Sequence, residues 1–295
     1  MLCTSSWSIP RSPVAQNLRK TFNSLAPGCQ RTRLQLETGN GARGERRRWR
    51  IEDRLAWPAI SNIRQVERLI LFDIDGTLTR TQNGYLPFNE AILQTFGVAG
   101  DIRTVVPDGN TDPLIVKDIF AKAGVDIEID DDSWERFTAN LQSCYQRHVQ
   151  QGSTAVRALP GAAELLRALA IGTGFGASVV TGNFEVTAQV KLEAASLAAY
   201  LSRGAYASDS AHRPDLPAIA KRRWEELNGR AIEPEQCVII GDTPNDLAAA
   251  RHNQMKCVLV GTGRYPVEEL VYWKPDACWG DLSDTPGVLT ALADL

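Results

Sequence analysis

Four short apolar runs, one of them interrupted by Ser178, punctuate the chain beyond residue 66: 69–72, 177–180, 237–240 and 257–260. Continuous apolar runs of this length are expected for strands covered on both faces. Between and after them the apolar positions recur at helical spacing, over 160–170, 184–199, 216–227 and 246–252. Strands alternating with helices predict a parallel sheet with right-handed crossovers. Ligands in such sheets bind beyond the carboxyl ends of the strands, so the polar residues after each run are where chemistry is expected. Residues 84–159 read differently. Helical patterns cover 89–96, 113–123 and 133–150 and strand runs are scarce, with Asp112 before Pro113 as an N-cap and first-turn pair. The organisation predicted is an α/β core from 67–83 and 160–295, with a helical segment inserted over 84–159.

Composition bounds the function classes. The chain has 295 residues, 43% hydrophobic and 23% charged. That excludes a disordered polymer, a collagen-like chain and a small disulfide scaffold. Net charge is −3, unevenly spread: residues 1–50 hold ten basic against two acidic residues, and the rest is strongly acidic. An acidic body is no nucleic-acid binder. The basic segment 1–66 admits three readings: a transit peptide, a disordered arm, or a translated stretch upstream of the true start. It lacks the apolar core of a secretory signal. The six cysteines form no C-x-x-C pair. That usage suits a reducing compartment, with Cys237 and Cys257 as buried thiols. No stretch approaches the roughly 20 apolar residues of a membrane span. His148, His212 and His252 lie too far apart in sequence to suggest a metal cluster, and the seven Trp read as packing.

The first run ends in Asp73-Ile74-Asp75-Gly76-Thr77, the second in Thr181-Gly182-Asn183, and the third in Gly241-Asp242-Thr243-Pro244-Asn245-Asp246. Taken singly, each is explained by turn chemistry, with Asp75 or Thr181 as a helix cap. Taken together, four Asp at the ends of two strands would repel one another unless a cation sits among them. Hard oxygen ligands with room for water and phosphate suit magnesium. Thr181 and nearby backbone N–H groups are donors for phosphate oxygens.

The stretches D-I-D-G-T-L from Asp73, T-G-N from Thr181 and G-D-T-P-N-D from Gly241 resemble motifs one, two and four of the haloacid dehalogenase superfamily, in that order. Residues 109–113 and 191–195 add a likeness to its phosphoglycolate-phosphatase-type branch. The resemblance implies a Rossmann-like doubly wound parallel sheet with an inserted α-helical cap, and a phosphatase acting on a small-molecule phosphate ester. It makes Asp73 the nucleophile and Asp75 the acid and base. Magnesium would be held by Asp73, Asp242 and Asp75, the last through its backbone carbonyl. Thr181, Gly182, Asn183 and the third-motif cation Arg213 would bind phosphate, with Lys221 as competitor for Arg213, and Asp246 would orient them from behind. Substrate choice would fall to Asn110, Asp112, Lys117 and Arg103 in the cap, with Thr79, Arg80 and Tyr85 near its hinge. A second Asp at 75 favours phosphoryl over halide chemistry, because halide departs unprotonated. Alternatives are a sugar-phosphate mutase, a phosphonatase using Lys117 or Lys122, and a non-catalytic phosphate-binding module. A cytoplasmic monomer or homodimer is expected, or an organellar one if the head is a transit peptide.

Overall fold

The structure, a computed structural model, describes residues 68–171 and 174–295. The basic segment read at 1–66 lies outside these. Five parallel strands form the main sheet: β1 (Arg68–Phe72), β4 (Phe175–Val179), β5 (Cys237–Gly241), β6 (Lys256–Val260) and β7 (Ala277–Trp279). Their spatial order is β4-β1-β5-β6-β7. The order reverses direction at β1, and such switch points are where α/β sheets bind ligands.

Alternate side chains of each strand enter different cores. Ile70 and Phe72 of β1 pack with α4 (Ala162–Ala170) through Leu165 and Leu166, and with α9 (Thr285–Asp294) through Leu289 and Leu292. The neighbouring Leu69 and Leu71 pack on the other face, against Leu216, Ala220 and Trp224 of α6 (Leu216–Asn228) and Ala250 of α7 (Pro244–His252). The sheet is therefore covered on both faces, as its apolar runs require. This is the Rossmann-like doubly wound core expected from the sequence.

The chain leaves the core through β2 (Thr79–Gln82) and returns through β3 (Ala155–Ala158). These pair antiparallel, with Thr79 opposite Ala158 and Gln82 opposite Ala155. Between them lie α1 (Tyr85–Phe96), α2 (Asp112–Ala123) and α3 (Asp131–Gln150). The three helices share a core of their own built on Phe88, Ile92, Ile119, Phe137 and Leu141. Phe137 meets Phe88 edge-on at 5.8 Å and Phe184 at 6.0 Å. Phe184 belongs to the α/β part, just before α5 (Glu185–Ala194), so the insert's core draws on that part of the chain, together with Val190 and Ala207.

Several boundaries differ from the sequence reading. The pattern 184–199 breaks after Ala194: Ser196 takes a left-handed backbone, and a single 3₁₀ turn follows at Ala198–Tyr200. The strand β3 falls in a region read as helical. Its four residues contribute only Val156 to the buried interior, too little for an apolar run to show. The edge strand β7 is only half-buried and escapes detection for the same reason.

Because Leu71 is fully buried one residue pair before Asp73, Leu71→Ala is expected to cost about 2–5 kcal/mol of stability, read from urea unfolding.

Candidate active site

The sheet register brings the polar motifs to one rim. Phe72 of β1 stands beside Val179 of β4 and Ile240 of β5. The ladder continues past the strands: Asp73 N–H donates to Ile240 O at 2.9 Å, and Val180 N–H to Phe72 O at 2.9 Å. Asp73, Thr181 and Asp242 thus emerge together. Gly76 has φ +81°, and a Cβ there would run into the Asp242 carboxylate; Gly263 crowds the same carboxylate from the loop after β6. Only glycines let these two turns close so tightly.

Carboxylate oxygens of Asp73, Asp242 and Asp246 lie within 4.8 Å of one another, all buried. Arg213, in a 3₁₀ turn before α6, donates from Nη2 to Asp73 Oδ1 at 3.2 Å and to Asp246 Oδ1. Asp246 Oδ2 accepts from the Thr243 amide at 3.1 Å and its hydroxyl at 2.7 Å, closing a capping box on α7. Both oxygens of Asp246 are therefore engaged, and it orients Arg213 from behind. Arg213 Nε is buried without a partner among the described residues. Lys221, the competitor, pairs instead with Glu225 at 2.8 Å along α6.

Burial pushes the Asp73 carboxyl above the ordinary carboxylate range; Arg213 opposes this and the charges of Asp246 and Asp75 add to it. Burial likewise raises Asp242, helped by Asp73 and Asp246. Asp242 has one hydroxyl donor, Thr77 at 3.2 Å, and makes no ion pair with Arg213. Two crowded carboxylates against one guanidinium form a donor set that a divalent cation would relieve. The residues present fit a magnesium ion. The Asp75 carboxylate stands outside this group; the metal set read from sequence takes only its backbone carbonyl.

Asp75 turns instead to a buried cation. Lys191 Nζ, from α5, donates to Asp75 Oδ2 at 2.6 Å and to Asn183 Oδ1 at 2.7 Å. Asn183 Nδ2 donates to Asp75 Oδ2 and to Thr181 Oγ1, both at 2.8 Å. Burial alone would raise Asp75; the Lys191 ammonium and the hydrogen bonds of Lys191, Asn183 and Thr81 outweigh it and hold Asp75 below its usual range. Sequence reasoning missed Lys191 as a site residue. In the structure Thr187, Val190 and Lys191 share one buried helix face, where a lysine is kept only if it is paired.

The helical insert forms the opposite wall. Asp112 does not cap its own helix, as its place before Pro113 suggested; Thr111 holds the N-cap position. The Asp112 carboxylate crosses to accept the Phe184 amide at 2.8 Å, while its own N–H donates to Gly182 O at 2.7 Å. Burial raises its carboxyl to about 6. The Asn110 carbonyl sits where a Cβ on Gly182 would be, so only glycine fits that turn. Arg103 is paired with Asp101 at 2.7 Å and stacks on Tyr85 at 4.2 Å. A cavity of about 570 Å³ joins all these groups, lined by Asp73, Asp75, Asn110, Asp112, Thr181, Gly182, Asn183, Lys191, Arg213 and Asp242, with Thr79, Arg80, Tyr85 and Arg103. Lys117 and Lys122 are exposed and do not line it. His212 and His252, distant in sequence, meet edge-on at 6.3 Å.

The model for haloacid dehalogenase-like hydrolases matches residues 67–253. The chain belongs to that family. Two sequence relatives are phosphatases by name. "Probable phosphatase IndB" of Dickeya dadantii is 25% identical over 227 residues, covering 77% of this chain and 95% of the relative. "Phosphoglycolate phosphatase" of Rhodospirillum rubrum is 27% identical over 209 residues, covering 69% and 84%. Among solved structures, CbbY from Rhodobacter sphaeroides in complex with phosphate shares the fold, with TM-score 0.56 and 20% identity over 77% of this chain and 99% of that one. The chain is accordingly a phosphatase-like hydrolase. Among the described residues no helix is long and apolar enough to cross a membrane.

The raised Asp242 carboxyl has a consequence for stability. Without a cation, the unfolded chain ionises this group freely above about pH 4 while the folded chain resists. The stability it contributes is present below that pH and is lost as pH rises. Asp242→Asn should therefore melt about 3 °C or more above the wild type at pH 8 in chelator, converging on it near pH 4. Magnesium should raise the melting temperature of the wild type and not that of the variant.

Proposed function

We propose that this hydrolase cleaves a small-molecule phosphate monoester by transferring the phosphoryl group to Asp73 and then to water. The observation that carries the reading is the convergence of Asp73, Asp242 and Asp246 within 4.8 Å, with Arg213 as the counter-ion of Asp73 and Asp246. An isolated carboxylate is a weak nucleophile toward a phosphate dianion because like charges repel. Asp73 and Asp242, with the Asp75 carbonyl, would hold magnesium, which supplies positive charge between carboxylate and phosphate.

The rest of the chemistry falls to side chains. Asp73 attacks phosphorus and the ester oxygen departs. Arg213, whose Nη2 is taken up by Asp73 and Asp246, would spread the charge on the equatorial oxygens through its remaining donors, the unpartnered Nε among them. Thr181 accepts from Asn183 and so keeps its own O–H for a phosphate oxygen. Backbone N–H groups of Gly182 and Asn183 line the same turn. Asp75, held as a carboxylate by its pair with Lys191, takes a proton from the attacking water and can hand it to the departing alcohol of the next turnover. Asn110, Asp112, Arg103 and Tyr85, on the insert, would select the leaving group and exclude solvent. The phosphonatase alternative loses its candidates, because Lys117 and Lys122 do not line the cavity. A non-catalytic module has no use for a buried, partly uncompensated carboxylate pair. The name of the Rhodospirillum rubrum relative makes 2-phosphoglycolate the first substrate to try, beside hexose phosphates.

With magnesium, the chain should hydrolyse p-nitrophenyl phosphate. Asp73→Asn should lower kcat by about 10³-fold or more, with KM changed far less, because the bond-forming atom is removed. Turnover persisting in that variant would exclude a phosphoryl-enzyme at residue 73.

A further inference from the structure

Lys191 is a charged side chain of the cavity to which the chemistry above assigns no part. It is 5% exposed, and such a lysine is kept only where it is paired. Its partner Asp75 has a side chain 42% exposed, so the ion pair spans the boundary between the interior and the cavity. From the insert, the Tyr145 ring covers Nζ at 5.6 Å, and the Tyr145 hydroxyl donates to Gly84 O at 3.2 Å. The ammonium is thus fixed by α5 below and α3 above.

The two oxygens of Asp75 are not equivalent. Oδ2 accepts from Lys191 at 2.6 Å and Asn183 at 2.8 Å. Oδ1 accepts only from the Thr81 hydroxyl, at a long 3.3 Å. Oδ2 is saturated and Oδ1 keeps acceptor capacity. An Asp75 anchored in this way cannot rotate its carboxylate without breaking two charge-assisted or amide hydrogen bonds.

We infer that Lys191 is a positioning residue for the second half of the reaction: it holds Asp75 as an oriented carboxylate whose Oδ1 takes the proton of the attacking water. The inference rests on the function proposed above. In that half, the water oxygen bonds to phosphorus and the bond between phosphorus and Asp73 breaks. Its electron pair returns to the Asp73 carboxylate, and the water proton passes to Asp75 Oδ1. Lys191 touches none of the reacting atoms. Asn183 acts with it, since one amide bridges Thr181 and Asp75 while its carbonyl accepts from Lys191.

A leaving group that departs without a proton separates the two halves. Nitrophenolate is such a group, so its release reports on Asp73 attack, and steady-state turnover reports on the water step. The experiment is stopped-flow hydrolysis of p-nitrophenyl phosphate by the full chain with magnesium, comparing wild type with Lys191→Met. The variant is expected to release about one nitrophenolate per chain within about threefold of the wild-type rate for that step, then turn over about 100-fold more slowly. Acid-quenched samples should then contain phosphorylated protein. Lys191→Gln, which keeps one N–H toward Asp75, is read in the same way if the Met chain fails to fold. Its turnover should fall between the two. Equal slowing of both phases, or steady-state turnover within about threefold of wild type, overturns the role of Lys191. Undiminished turnover by Asp73→Asn overturns the phosphoryl-enzyme itself, which is a different result.

Discussion

The site depends on carboxylates that repel one another being forced onto one rim. Asp73 and Asp242 are carried there by β1 and β5, whose register is locked by fully buried aliphatic side chains on both faces. Their separation is therefore set by the sheet and cannot relax. Arg213 offsets part of the repulsion and is itself held by Asp246. What charge is left unbalanced is stored by the packing around it, and this is the condition under which a strand-end site attracts a cation and then a phosphate.

Around this centre the polar groups divide into two sets. One, on the side of β5 and α7, comprises Asp242, Asp246, Thr243 and Arg213. The other, on the side of β4 and α5, comprises Thr181, Asn183, Lys191 and Asp75. Each set is linked internally by hydrogen bonds while Arg213 Nε and Asp75 Oδ1 keep capacity to spare, and the two meet in the turn from Asp73 to Gly76. Linked buried polar groups of this kind rigidify a site before any ligand arrives. The opposed carboxyl behaviours follow from it. Asp73 is raised by burial among acids, and Asp75, two residues on, is lowered by a lysine.

How much of this was legible in the sequence depended on whether a residue's meaning was local. The four runs of the sheet and the motifs at their ends were legible, because a strand buried on both faces leaves an apolar run and chemistry gathers at its carboxyl end. Arg213 was legible only through the family resemblance, whose third-motif cation it matches by spacing. Lys191 was not, since its meaning lies in Asp75, more than a hundred residues away, and a lysine followed by Leu-Glu-Ala-Ala has the look of any helix surface. Asp112 misled for a related reason: a carboxylate before proline satisfies the local rule for a helix start, yet the nearest buried amide belongs to Phe184. The loop holding Gly263 and Arg264 carries no pattern at all. Its glycine matters because Asp242 lies beside it, and its arginine because Asp108 lies across the cavity at 2.9 Å.

The paired strands β2 and β3 join the insert to the sheet by two adjacent antiparallel segments, each only four residues long. A double tether of that width permits bending about its own axis and resists twisting. Residues 85–150 can therefore diverge as a unit, provided that Asn110 and Asp112 keep their backbone fit to Gly182. On the function proposed here, selectivity for the departing alcohol and competence for phosphoryl transfer would in this way be written into separate stretches of the polypeptide, free to evolve at different rates.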